Sequence, residues 1–119
     1  MPDTPAIEKD EVLALLGDEY AREILVATSR ESMSAKQLSE ELDVDISTVY
    51  RRVDELLEQD LLVEKTRIAE GGSHHSIYEP KIDHVDVDID DGDLAVDIHV
   101  RESAAERFTR IWDDIRNTE

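Results

Sequence analysis

The chain of 119 residues contains no cysteine. That excludes disulfides, thiolate metal sites and cysteine nucleophiles in one step. Aromatic residues are nearly absent as well, with three Tyr, one Phe and one Trp, so the core must be built from Leu, Val, Ile and Ala. No apolar run approaches about 20 residues, and the chain does not start with a basic stretch followed by an apolar one. Neither a membrane span nor a signal peptide is expected, and the expectation is a cytoplasmic protein with no membrane partner. No nucleophile sits with its base, no glycine-rich loop suits a phosphate, and no carboxylate pair lies on a pocket-forming pattern, so catalysis is not expected either.

Positive charge is the other scarcity. Nine Arg and four Lys face 31 Asp plus Glu, for a formal net charge of -18. Such a balance has two readings. Either the acidic surface argues against nucleic acid, whose phosphates need Lys and Arg, or it belongs to a halophile, whose cytoplasm holds molar salt. At about 1 M salt the Debye length is roughly 3 Å, so remote acids hardly repel DNA. The acids are spread along the whole chain instead of forming a tail, which favours the halophilic reading.

What is present reads first as helices. Residues 1–9 carry two of the three prolines and suggest a short arm. Val12, Leu13, Leu15 and Leu16 mark a helix that Gly17 stops. Asp18 can cap a second helix to about Thr28, apolar at Tyr20, Ala21, Ile24, Leu25 and Ala27. Ser34 caps a third, with Ala35, Leu38 and Leu42 on one stripe. Asp43, Val44 and Asp45 break the period, and Asp45 caps a fourth helix, apolar at Val49, Val53, Leu56 and Leu57. Two helices joined by so short a turn fit a helix-turn-helix.

Beyond Asp60 the period changes to that of strands. A stretch from Leu61 to Ile68 and another from Ser76 to Glu79 flank Gly71-Gly72, a hairpin that serves as the wing of a winged helix. In a second hairpin Val85, Val87 and Ile89 alternate with Asp86, Asp88 and Asp90. Leu94, Val96 and Ile98 alternate with Ala95, Asp97 and His99 in its other strand. A two-residue Asp91-Gly92 turn pairs Val85 with Ile98, Val87 with Val96 and Ile89 with Leu94, so one face is expected to be buried and the other acidic. A last helix, with a Ser103 and Glu106 capping box, has a stripe at Ala104, Phe108, Ile111, Trp112 and Ile115. The expected architecture is α+β: a winged helix-turn-helix over 1–81, an acidic hairpin over 82–101 and a C-terminal dimerisation helix over 102–119.

In a helix-turn-helix the second helix enters the major groove and its outward N-terminal residues reach base edges. Here those are Ser47, Thr48, Tyr50, Arg51 and Arg52, and residues 46–53 hold two Arg and no acid, although a solvated surface with the Arg pair held by nearby Asp54 or Glu55 is the plainer reading of the same residues. Arg pairs with guanine bidentately, while hydroxyls bond bases or phosphates. Lys36 and Gln37, at the start of the preceding helix, are candidate phosphate contacts. Gly71, Gly72, Ser73, His74 and His75 in the wing are candidates for the adjacent minor groove or the phosphates, with a disordered loop tip as the alternative. The implied partner is double-stranded DNA. Phe108, Ile111, Trp112 and Ile115 at coiled-coil-like spacing point to a homodimer seam, with packing inside the chain as the alternative.

A metal ion has two candidate places. Adjacent His74 and His75 on a strand point to opposite faces, so one ion does not easily take both. The second hairpin's register instead brings His84 opposite His99 and Asp86 opposite Asp97 on one face, two nitrogens and two carboxylates for a manganese-, zinc- or iron-type ion. A solvated acidic face without an ion is the plainer reading of the same residues, and no cofactor is otherwise implied.

The run from Ser34 to Val53 resembles the helix-turn-helix of ArsR-type winged-helix regulators. Leu56 to Leu62 resembles that family's helix-to-wing junction, and Leu16-Gly17-Asp18 with Ile24-Leu25 its second helix. Together these cover residues 10–80. The resemblance implies a dimeric transcriptional regulator, of haloarchaeal type given the composition, with its recognition helix over 46–59. Metal-sensing members carry paired cysteines in the first helix of the motif, and this chain has none, so a thiolate-based sensor is excluded. Asp43 stands where a turn glycine is common, and Asp tolerates the left-handed conformation. The competing class of function is a winged helix that binds a basic protein partner in transcription or chromosome machinery.

Overall fold

The computed structural model describes residues 9–101 and 104–117, with side chains described over 9–101 and 108–116. Most of the expected N-terminal arm, Ser103 and the Glu106 side chain of the expected capping box lie outside these. The chain divides into two compact units at the Ile82–Asp83 boundary.

The first unit is a winged helix-turn-helix. Helices α1 (Lys9–Leu16), α2 (Glu19–Arg30), α3 (Ala35–Leu42) and α4 (Ile46–Glu58) precede an antiparallel hairpin of β1 (Leu62–Ile68) and β2 (His74–Pro80). Each of the last three helices is started by a side chain that satisfies free backbone donors. Asp18 accepts from the Ala21 amide at 2.8 Å. Ser34 and Gln37 form a reciprocal capping box, and Asp45 accepts from the Ser47 amide at 3.1 Å. Helix α1 begins at Lys9, which the composition had assigned to the arm, and α2 runs two residues past Thr28.

The core is aliphatic. Val12, Ile24, Leu38, Val49, Val53, Leu56, Leu61 and Leu62 are buried, together with Ile77 and Tyr78 of the wing. Each buried Leu or Ile contributes about 1.5–3 kcal/mol of transfer free energy. Helix α2 is central: it packs on α1, α3, α4 and β2. The buried Thr28 hydroxyl donates to the Ile24 carbonyl at 2.7 Å, and among the described residues no buried side-chain polar atom lacks a partner.

Two details bring the wing against the helices. Met33, in the connection between α2 and α3, exchanges backbone hydrogen bonds with Tyr78 at 3.2 and 2.8 Å and so forms a one-residue third strand. At the far end of α4 the chain turns through Asp60 with φ 63, and the Asp60 and Leu61 amides donate back to Leu57 and Leu56 at 3.0 and 2.9 Å. This is a Schellman closure with Asp where Gly is usual. Lys81 donates to both Asp60 carboxylate oxygens at 3.0 Å, tying the helix end to the residue after β2.

The second unit holds the hairpin of β3 (Ile82–Asp90) and β4 (Asp93–Val100), then α5 (Ala104–Asn117). The two-residue turn is as expected, with φ 53 at Asp91 and 79 at Gly92, both positive as a tight type I′ turn requires. Burial of its apolar face is not. Val87 is 48% exposed and Ile89 82%, while Val85, Leu94, Val96 and Ile98 are only half-buried. A two-stranded sheet has no second layer of its own, so alternation alone does not bury a face.

Candidate nucleic-acid interface

The turn between α3 and α4 is closed by the backbone. Asp43 has φ 55, its amide and that of Val44 both donate to the Ser39 carbonyl, and the Ser39 hydroxyl donates to the Val44 carbonyl at 2.6 Å. The bend fixes α4 across α3, with Val49, Val53 and Leu56 turned inward. Successive helix residues rotate by about 100°, so Arg51 projects opposite that stripe. Arg51, Tyr50 and Ser47 are exposed and Thr48 is half-buried. The Ser47 hydroxyl donates to the Asp45 carboxylate, which lowers the Asp45 pKa.

Arg52 is placed differently from the outward set in which the sequence reading included it. Its Nε donates to Asp18 Oδ2 at 2.8 Å and its guanidinium also meets Glu55 at 3.4 Å, with the side chain only 20% exposed. The reason is angular: Arg52 falls roughly 70° from the centre of the buried stripe, beside it and not opposite. It therefore faces the start of α2 instead of solvent. Burial works to raise the Asp18 carboxyl, but the Ala21 amide and Arg52 outweigh it and hold Asp18 below the usual carboxylate range. The Arg52 guanidinium is raised in turn, by its bond to Asp18 first.

Other sequence candidates do converge. Lys36, Gln37, Tyr50 and His74 line one open groove between the start of α3 and the wing, with Ser34, Ser76 and Tyr78 beside them. Arg67 and His75 line it too, paired across the wing in the β1–β2 register. The sequence reading missed Arg67, because the five-residue connection of this hairpin does not specify its register. The alternation of Lys65 and Arg67 along β1 was the available sign. Among the described residues Lys36, Arg51 and Arg67 make no ion pair, whereas Lys65 is 3.1 Å from Glu79. Gly71 and Gly72 turn the exposed wing tip with φ 90 and 87, and a Cβ at either would meet nothing. Ser73 is exposed and its carbonyl accepts from Ala69 at 2.8 Å. Tyr78 is buried under the groove, and that burial raises its hydroxyl pKa.

Residues 16–65 match the model of a helix-turn-helix domain family. The chain carries a helix-turn-helix domain. The match runs from the end of α1 through α2, α3 and α4 into β1, the same segment that builds the bend and the outward face of α4. No curated protein matches the chain. No helix among the described residues is long and apolar enough to cross a membrane.

In the second unit, Phe108, Ile111, Trp112 and Ile115 are all exposed on α5, Phe108 at 70%. His84, Asp86 and His99 come together on the hairpin, while Asp97, opposite Asp86 in the expected register, stays outside that group. Two carboxylates facing across a strand pair repel, which favours the exposed orientation of Asp97.

Proposed function

We propose that the chain is a sequence-specific DNA-binding transcriptional regulator of the ArsR-like winged-helix type, acting as a homodimer with α4 in the major groove and the wing near the minor groove. The observation that carries this reading is the acid-free first half of α4, where Arg51 stands outward with no ion pair among the described residues, on a chain of net charge -18. Arg51 is the candidate for base readout, with Tyr50 and Ser47 beside it. Lys36, Gln37 and Arg67 supply phosphate contacts along the groove, and the Gly71-Gly72 tip with Ser73 and His74 approaches the neighbouring groove. The acidic remainder suits a cytoplasm with molar salt, where a Debye length of roughly 3 Å leaves only contact charges in play. Two copies gain what one lacks, because a single recognition helix reads few base pairs. The apolar stripe of α5 is the candidate seam.

The test is footprinting of the full chain on its own promoter region in molar salt. Arg51→Ala should weaken protection roughly 10- to 100-fold, the cost of a lost bidentate base contact, without lowering the melting temperature. Arg52→Ala should mainly loosen the fold. If protection survives Arg51→Ala undiminished, the reading fails, and the acidic surface would then favour a module that binds a basic protein partner.

A further inference from the structure

His84 and Asp86 are two residues apart on β3 and therefore share a face, and β4 brings His99 against them. The two imidazoles meet edge to face with ring centroids 4.9 Å apart. Both direct Nε2 at one carboxylate: His84 Nε2 is 2.6 Å from Asp86 Oδ1 and His99 Nε2 is 2.9 Å from Asp86 Oδ2. The ligand atoms of all three residues lie within 4.8 Å of one another. Two of the four histidines of the chain thus converge on one of its 31 acidic side chains.

Donors on a single zinc ion, each about 2.0–2.2 Å from it, stand roughly 3–3.5 Å apart. Both His–Asp spacings are shorter than that and the whole group lies within 4.8 Å, so an ion would push the three side chains slightly apart. Two neutral imidazoles and one carboxylate are a donor set for zinc or iron(II), and too poor in oxygen for calcium or magnesium. We propose that His84, Asp86 and His99 bind one divalent transition-metal ion, with both strands of the hairpin supplying ligands and water completing the open side. The ion links β3 to β4 close to the start of one strand and the end of the other. Asp97 contributes negative potential without ligation. The site is independent of the DNA-binding reading, since every ligand lies beyond the helix-turn-helix.

The test uses the full chain, stripped with chelator and titrated with zinc chloride in molar salt while the imidazole NMR signals are followed. His84 and His99 should shift together and saturate at one equivalent, with His74 and His75 of the wing as internal references. In calorimetry His84→Gln and Asp86→Asn should each weaken zinc binding by about tenfold or more, and Asp97→Asn by much less. Amide spectra of the second hairpin report whether each variant stays folded. Unmoved His84 and His99 signals would overturn the proposal. So would zinc binding that the His84→Gln and Asp86→Asn variants retain at full strength.

Discussion

Arg51 and Arg52 are neighbours of one type, and one step of helix rotation gives them different work. Arg51 faces outward with no ion pair among the described residues, while Arg52 is joined to the carboxylate that caps α2. Asp18 thereby serves two donors, the Ala21 amide and the Arg52 guanidinium, and its pKa is lowered from 3.8. The sign of the linkage follows. A depressed folded-state pKa means that the stabilisation is fully present above the ordinary carboxylate pKa and is lost as pH falls through the depressed value. Asp18→Ala should cost about 1 kcal/mol at neutral pH, the usual worth of an N-cap. The gap between the melting temperatures of the variant and the parent should then narrow as the pH drops below about 4. An equal gap at pH 7 and pH 3 would contradict the role given to Asp18.

At the scale of elements, the helix-turn-helix is built by caps and by one left-handed residue. The caps at Asp18, Ser34 and Asp45 were legible in the sequence because each is a side-chain acceptor standing just ahead of a helical apolar period. The turn was legible too, since Asp is among the few non-glycine residues that accept φ 55. A β-branched residue there clashes with its own backbone. Asp43→Val should therefore lower stability by about 1–2 kcal/mol, and Asp43→Gly should be neutral or slightly stabilising, as read by thermal unfolding. Equal losses from both would mean that the carboxylate matters and not the backbone. The wing was harder to read in detail. Its Gly-Gly tip was evident, but the pairing of Arg67 with His75 and the bridge from Met33 to Tyr78 depend on contacts between residues distant in sequence.

Over the whole molecule the two units differ in how they bury apolar surface. The first closes over a core of Leu, Val and Ile, with Val26, Ile46 and Ile68 left at its surface, whereas the second leaves Val87, Ile89, Val100, Phe108, Ile111, Trp112 and Ile115 exposed. Exposed aromatic and β-branched residues in such number mark a surface that gains from a partner. The proposed homodimer through α5 would remove Phe108, Ile111, Trp112 and Ile115 from water, and the high net charge would keep such pairing from running on to aggregation. Trp112→Glu should shift the chain from dimer to monomer in analytical ultracentrifugation while the amide spectrum of the winged-helix unit stays unchanged. A wild-type chain that sediments as a monomer in molar salt would remove the basis for the dimer.

The sequence alone specified the elements, the caps at Asp18, Ser34 and Asp45, the two hairpins and the outward place of Ser47, Tyr50 and Arg51 on α4, because these follow from period, turn chemistry and the local scarcity of acid. It also brought His84 and His99 together, with ring centroids 4.9 Å apart, because a two-residue turn at Asp91-Gly92 leaves little freedom in the pairing of the flanking strands. Tertiary structure alone decided that Arg52 belongs to α2 and that Lys36, Tyr50, Arg67 and His74 share a groove. It also decided that the apolar face of the second hairpin lies open. Each of these depends on which surfaces meet, and helical or strand period carries no information about a neighbour's position.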